Sequence, residues 1–124
     1  MMPARVLIID DDPMLSEQLR SLLHVLGYPG ICCADSRRAL AITAECHFEL
    51  IFCDYWMPGL NGQGFYFSLC RRQPELAKRV VWLVGAAQGT RTEFFLRSTG
   101  NPRLPKPFKL PQVQELLVGL LGSP

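Results

Sequence analysis

Short apolar runs recur along the chain and alternate with amphipathic segments. The clearest runs occupy residues 5–9, 48–53 and 80–84, and weaker ones occupy residues 29–34 and 103–105. Apolar runs of this length, bounded by turn residues, are typical of strands buried on both faces of a parallel sheet. The pattern therefore predicts five strands.

The segments between these runs show helical periodicity and helix-capping residues. Asp12 is a candidate N-cap for the first helix, Pro13 stands at its first position and Gly27 ends it. The other predicted helices run from a cap at Ser36 to near His47, from about Phe65 to just before Pro74, over residues 90–99, and from Pro111 onward.

Strand and helix alternate five times, which predicts an α/β protein with a parallel sheet covered by helices on both faces. Trp82 in the fourth run, and Phe94 and Phe95 in the fourth helix, are assigned to the core from their periodicity. In open sheets of this kind, functional groups gather at the carboxyl ends of the strands. The residues that follow each predicted strand are therefore the candidates for function.

Carboxylates follow two of the strands. Asp10, Asp11 and Asp12 come after the first strand, and Asp54 comes after the third. Carboxylates that meet at one edge repel each other unless a cation intervenes, and oxygen-only ligands favour a hard cation such as Mg²⁺ or Mn²⁺. Lys106 follows the fifth strand and could balance an anion at the same edge.

A hard metal, a lysine and a carboxylate together suit phosphoryl transfer, including transfer onto the carboxylate itself. Each residue also has a simpler interpretation when taken alone. Asp12 could be only a helix cap, Lys106 a solvated loop residue and Asp54 the polar end of a strand.

Composition narrows the classes of protein that remain. The chain has 124 residues, of which 48% are hydrophobic and 19% charged, and its formal net charge is +2. These values suit one globular domain and give little support to nucleic-acid binding. No apolar run approaches the roughly 20 residues of a membrane span, so a cytoplasmic domain is expected. The five cysteines lack zinc-site spacing and are assigned to packing.

Three sequence elements occur in an order typical of one family. They are the acidic run within residues 7–13, the pattern D-x-x-M-P-x-x-x-G that begins at Asp54, and Lys106 followed by Pro107 and Phe108. Over residues 1–124 the chain resembles a single receiver (response-regulator) domain of bacterial two-component signalling, and residues 80–108 are similar to receivers attached to hybrid histidine kinases. The resemblance implies a flavodoxin-like, doubly wound, five-stranded parallel sheet in the order 2-1-3-4-5 with five helices.

The resemblance also implies roles for individual residues. Asp54 would accept the phosphoryl group and, with Asp11 and the backbone carbonyl of Trp56, would bind Mg²⁺ (or Mn²⁺). Asp10 would belong to the acidic pocket. Lys106 would contact the phosphoryl oxygens, and the peptide bond that follows it would be cis.

The same resemblance implies partners. The donor would be a phosphohistidine on a histidine kinase or a histidine phosphotransfer protein. Enzymatic activity would extend at most to self-catalysed aspartyl phosphorylation and dephosphorylation. Receivers commonly present the face corresponding here to residues 90–121 to partners, so a homodimer through that face is a further expectation. Neither nucleic acid nor membrane contact is expected for this domain.

Two positions depart from the family pattern. Val84 stands where the family has a Thr or Ser whose hydroxyl binds the phosphoryl group, and Arg103 stands where the family has a switch aromatic. The backbone amides of Gly85 and Ala86, a shifted loop, or Thr90 could replace the missing hydroxyl. The expected function is phosphoacceptance with an atypical switch. The alternative is a pseudo-receiver that acts as a phosphorylation-independent protein-interaction module.

Overall fold

The chain folds around a parallel sheet. The structure, a computed structural model, describes residues 5–57, 60–85 and 89–122. Within these ranges the strands are β1 (Val6–Ile9), β2 (Gly30–Cys33), β3 (Leu50–Asp54), β4 (Val80–Val84) and β5 (Arg103–Pro105). They are all parallel and lie in the order β2-β1-β3-β4-β5. The predicted flavodoxin-like fold and strand order are confirmed.

Helices cover both faces of this sheet. In the described residues they are α1 (Pro13–Val25), α2 (Ser36–Glu45), α3 (Gly62–Arg72), α4 (Pro74–Ala77), α5 (Thr90–Thr99) and α6 (Leu110–Leu121). One apolar cluster joins one face of the sheet to α2, α3, α4 and α5, and a second cluster joins the opposite face to α1 and α6. Strand β1 is fully buried, as its continuous apolar run predicts.

The helix starts follow from short polar side chains. Asp12 caps α1, because one of its carboxylate oxygens accepts hydrogen bonds from the backbone N–H groups of Met14 and Leu15. For α2 the predicted cap is wrong by one residue: Asp35 is the N-cap, and Ser36 is the first helical residue. Gly27 adopts a positive φ of 89° just after α1, a conformation that glycine tolerates best.

Other details differ from the sequence-based expectations, including the third helix, which begins at Gly62 rather than near Phe65. Five helices were predicted and six are described, because the four-residue helix α4 is too short to produce a periodic pattern. Strand β3 occupies Leu50–Asp54 rather than residues 48–53, so Asp54 closes the strand. Phe94 was assigned to the core but is 76% exposed, whereas Phe95 and Trp82 are buried.

No helix within the described ranges is both long and apolar enough to cross a membrane.

Candidate functional site

The register of the sheet brings the predicted site residues to one edge. Ile9 pairs with Cys53 across β1 and β3, so Asp10 and Asp54 lie next to each other at the carboxyl ends of these strands. The backbone N–H of Lys106 donates to the carbonyl of Val84, 2.8 Å away, which places the lysine just beyond β4. Asp54 follows Asp10 by 44 positions and precedes Lys106 by 52, yet the three residues share one site.

Asp10 is the most deeply buried of these groups, with 2% of its surface exposed. Its Oδ1 accepts a hydrogen bond from the N–H of Asp12 at 2.9 Å. Its Oδ2 lies 2.9 Å from Nζ of Lys106, close enough for an ion pair, but receives no hydrogen bond of good geometry from a described group. A buried carboxylate oxygen in this state retains the capacity to bind a further cation.

Asp54 is held from two sides. The N–H of Trp56 donates to its Oδ1 at 3.2 Å, and Nζ of Lys106 lies 3.5 Å from its Oδ2. Burial raises the pKa of the Asp54 carboxyl, and the nearby charge of Asp10 adds to this effect. The Lys106 ammonium and the Trp56 N–H oppose it without cancelling it. Burial thus makes the ionised form of Asp54 less favourable in free energy, and a further cation would stabilise that form.

Lys106 is the cation that the structure places between the two carboxylates. Burial alone would lower the pKa of its ammonium, but the contact with Asp10 and the charge of Asp54 outweigh burial and raise it. The side chain is therefore protonated at neutral pH. The Lys106–Pro107 peptide bond is cis, as predicted.

The acidic cluster fits a hard divalent cation. Asp10, Asp11 and Asp54 each offer a carboxylate oxygen, and these oxygens lie within 4.8 Å of one another. An octahedral Mg²⁺ with bonds of about 2.1 Å spans about 4.2 Å between opposite ligands, so small side-chain movements bring the oxygens into range. The donor set consists of oxygen atoms only, and the buried Oδ2 of Asp10 also favours a cation at this position.

The remaining predicted ligand is a backbone group. Trp56 follows Asp54 closely, and its indole is 60% exposed, as expected for a residue beside the site. The role of its carbonyl as a metal ligand stays a prediction. Pro58 and Gly59, which belong to the sequence pattern that begins at Asp54, lie outside the described residues.

Close packing behind Asp54 fixes its position. A Cβ added at Gly62 would lie 2.8 Å from Cα of Tyr55, 2.9 Å from Cζ3 of Trp82 and 3.2 Å from the carbonyl oxygen of Asp54. The N–H of Gly62 donates to the carbonyl of Tyr55 at 2.9 Å. The first turn of α3 thus lies against the end of β3 at a distance that only glycine permits.

The two atypical positions have clear structural surroundings. Val84 ends β4 and is 8% exposed, and its side chain has no hydrogen-bond donor. Arg103 does not pack into the core; its guanidinium forms an ion pair with Glu93 of α5 at 2.6 Å. Thr90 is exposed at the start of α5, and Ala86 lies outside the described residues. Sequence reasoning missed Glu93, because its ten-residue separation from Arg103 carries no local signal.

The sequence is similar to known receiver proteins. The family model described as "Response regulator receiver domain" matches residues 6–118. The transcriptional activator protein PfeR of Pseudomonas aeruginosa is 32% identical over 117 residues, which are 94% of this chain and 37% of PfeR. Response regulator MprA of Mycolicibacterium vanbaalenii is 31% identical over 122 residues, 97% of this chain and 51% of MprA. The chain thus spans only a third to a half of these relatives.

Solved structures show the same fold. The receiver domain of a sensor histidine kinase from Pseudomonas aeruginosa PAO1 has a TM-score of 0.84 and 25% identity, over 98% of this chain and 99% of that chain. That structure has a magnesium ion coordinated in its active-site cleft. Chemotaxis protein CheY4 of Vibrio cholerae has a TM-score of 0.82 and 26% identity, over 96% of this chain and 99% of that chain.

Proposed function

This chain belongs to the response regulator receiver domain family, and on that premise we propose that Asp54 accepts a phosphoryl group in a His-to-Asp phosphorelay. The donor is a phosphohistidine on a histidine kinase or a histidine phosphotransfer protein. The observation that carries the proposal is the environment of Asp54: its Oδ2 lies 3.5 Å from the Lys106 ammonium, within an acidic cluster that fits a divalent cation.

The proposed reaction makes one bond and breaks one. An oxygen of the Asp54 carboxylate forms a bond to phosphorus, and the bond between phosphorus and the donor imidazole nitrogen breaks. The imidazole keeps the electron pair of that bond. Water later attacks the phosphorus of the aspartyl-phosphate, which releases inorganic phosphate and restores the carboxylate. Any enzymatic activity of the chain is limited to these two steps.

Lys106 and the acidic residues have separate tasks in this proposal. The Lys106 ammonium would bind a phosphoryl oxygen, and Asp10 holds that ammonium in place at 2.9 Å. Asp11, Asp54 and the backbone carbonyl of Trp56 would hold Mg²⁺ or Mn²⁺. When bound, the ion would neutralise negative charge on the phosphoryl oxygens. The Trp56 N–H keeps one carboxylate oxygen of Asp54 oriented.

We further propose that the conformational response to phosphorylation is atypical. Val84 cannot donate a hydrogen bond to a phosphoryl oxygen, and a single such bond to a charged group contributes about 1.5–3 kcal/mol. Arg103 has no aromatic ring and is paired with Glu93, so it cannot act as the switch aromatic of the family does. These two residues favour altered switching, and they leave Asp54 and Lys106 in place.

A second candidate function is a pseudo-receiver, which would bind partner proteins without phosphorylation. Val84 and the pair formed by Arg103 and Glu93 favour this alternative. The intact acidic cluster with Lys106 favours phosphoacceptance.

In either case we propose that residues 1–124 act as one receiver domain without nucleic acid or membrane contact. We also propose that α5, β5 and α6 form the face for a homodimer.

Intact-mass analysis distinguishes the two functions. The chain is incubated with Mg²⁺ and acetyl phosphate, and separately with a phosphorylated histidine phosphotransfer protein, with the Asp54→Asn variant alongside. Phosphoacceptance predicts the added mass of one phosphoryl group in the parent and none in the variant. If neither donor modifies the parent, while calorimetry still detects Mg²⁺ binding, the pseudo-receiver function is supported.

A further inference from the structure

Two phenylalanines project from neighbouring helices on the face that carries α3 and α5. Phe67 of α3 is 52% exposed and Phe94 of α5 is 76% exposed. The ring of Phe67 rests edge-on against buried Phe95, with centroids 5.8 Å apart, so rings bridge the two helices. Tyr66 also contacts Phe95, with centroids 5.9 Å apart. The floor of this surface is therefore a fixed aromatic layer.

Arginines lie about one helical turn from each exposed ring, because Arg91 and Arg97 are three residues from Phe94 and Arg71 is four residues from Phe67. Helix α3 carries Arg71 and Arg72 but no acidic residue, and α5 carries Arg91 and Arg97 with Glu93 as its only acid. Glu93 is already paired with Arg103 at 2.6 Å and approaches Arg97 at 3.7 Å. The face is therefore apolar at its centre and positively charged around it, which is complementary to an acidic partner.

The positions of the arginines along α3 and α5 define the spacing of the carboxylates that a partner needs. Both helices connect strands of one parallel sheet and so run in the same direction. Arg91 precedes Phe94 by three residues, and Arg71 follows Phe67 by four. Phe67 contacts Phe95, the residue next to Phe94, so Phe67 and Phe94 are at about the same height along the two helices. At a rise of 1.5 Å per residue, the positions of these two arginines are offset by about 10 Å along the helix direction, or about two helical turns.

We propose that the surface formed by Phe67, Arg71, Arg91 and Phe94 binds an amphipathic helix of a partner protein. That helix carries apolar residues at its centre and carboxylates about two turns apart. The helix lies between α3 and α5, its apolar side chains cover the two rings, and its carboxylates pair with Arg71 and Arg91. This interaction is separate from the acidic cluster and does not require phosphorylation of Asp54.

Synthetic peptides test the proposal directly. The probe is an alanine-rich peptide of about 18 residues, long enough to form a helix. It carries Leu and Phe one turn apart, flanked by Glu residues two turns apart. The control peptide has Lys in place of each Glu. Binding is measured by fluorescence anisotropy of the labelled peptides, and thermal melts confirm that each variant is folded.

The acidic peptide should bind, and the Lys peptide should not. Phe94→Ser should weaken binding by about tenfold or more, whereas Val25→Ser, which alters another exposed apolar residue, should change it by less than about twofold. The double variant Arg71→Glu with Arg91→Glu should lose the acidic peptide and gain the Lys peptide. The same reversal at Arg37 and Arg38 on α2 should have no effect.

Several results would overturn the proposal. Equal binding of the two peptides, no binding of either, or no effect of Phe94→Ser would each do so. Vesicles containing phosphatidylserine are tested in parallel, because arginines around exposed aromatic rings also suit an anionic membrane. Binding to vesicles that Phe94→Ser abolishes, without binding to the acidic peptide, would assign the surface to lipid instead.

Discussion

Replacing Lys106 by Met should destabilise the protein far more than a surface lysine replacement does. Methionine keeps most of the apolar stem but removes the ammonium that lies 2.9 Å from Asp10 and 3.5 Å from Asp54. Asp10 is 2% exposed, so its carboxylate would be left buried beside a second carboxylate without the cation that the described residues place there.

The magnitude follows from burial. Removing one partner of a buried ion pair typically costs about 3–5 kcal/mol. Because the Lys106 side chain is 19% exposed and water can partly fill its place, we expect about 3 kcal/mol, the lower end of this range. Lys78→Met is the matched control: its side chain is 71% exposed and its described ion pair is with exposed Glu75, so about 0.5 kcal/mol or less is expected.

Urea denaturation of both variants in EDTA, followed by circular dichroism, measures this difference in free energy of unfolding. Added Mg²⁺ should restore more stability to Lys106→Met than to the parent, because the ion replaces the missing charge. Introducing Asp10→Asn into Lys106→Met should recover most of the loss. If Lys106→Met in EDTA were as stable as Lys78→Met, the account of the site as an electrostatically strained carboxylate cluster would be refuted.

Three further predictions concern residues around the same site. Since burial raises the pKa of Asp54, the folded state binds protons more tightly than the unfolded state, and stability falls as pH rises from about 3.9 through the raised value. Asp54→Asn should therefore be more stable than the parent at neutral pH in EDTA and should converge with it in acid; equal stability at neutral pH would contradict this. Gly62→Ala should cost about 1–3 kcal/mol through its clash with Tyr55, whereas Gly119→Ala, where nothing lies within 4 Å, should add about 0.5–1 kcal/mol; chemical denaturation that showed the same sign for both would disprove the packing argument. A double-mutant cycle with Glu93→Gln and Arg103→Gln should give a coupling energy of about 0.5–1 kcal/mol that decreases at high salt, and zero coupling would show that the pair does not form in solution.

The parts of this molecule that were predictable share one property: their signal is local in sequence. Continuous apolar runs identified β1 and β4, and the pair formed by Asp12 and Pro13 identified the start of α1. The carboxylates and Lys106 were predicted to meet because strand ends share an edge in a parallel sheet, and their distances bear this out. The roles assigned to them remain proposals.

The errors arose where tertiary packing decides. Phe94 follows the helical pattern as well as Phe95 does, but the rings that cover Phe95 belong to other elements: Tyr55, Trp82 and the aromatic residues of α3. Helix α4 has four residues, barely more than one helical turn, and a periodic apolar pattern needs at least two turns to be recognised. The partner of Arg103 lies on another element, so its charge could be recognised from sequence as unusual but not as paired.

The cation of the acidic site is held by a short strand at one edge of the sheet. Lys106 directly follows β5, an edge strand of three residues whose only neighbour is β4, whereas Asp10 and Asp54 follow strands in the interior. Edge strands exchange their amide hydrogens through local opening at a lower free energy than global unfolding. We expect each such opening to move the Lys106 ammonium away from Asp10 and Asp54, which follow interior strands and stay together. The rate of amide exchange at Leu104 and Lys106 therefore reports how often this site is left without its own positive charge.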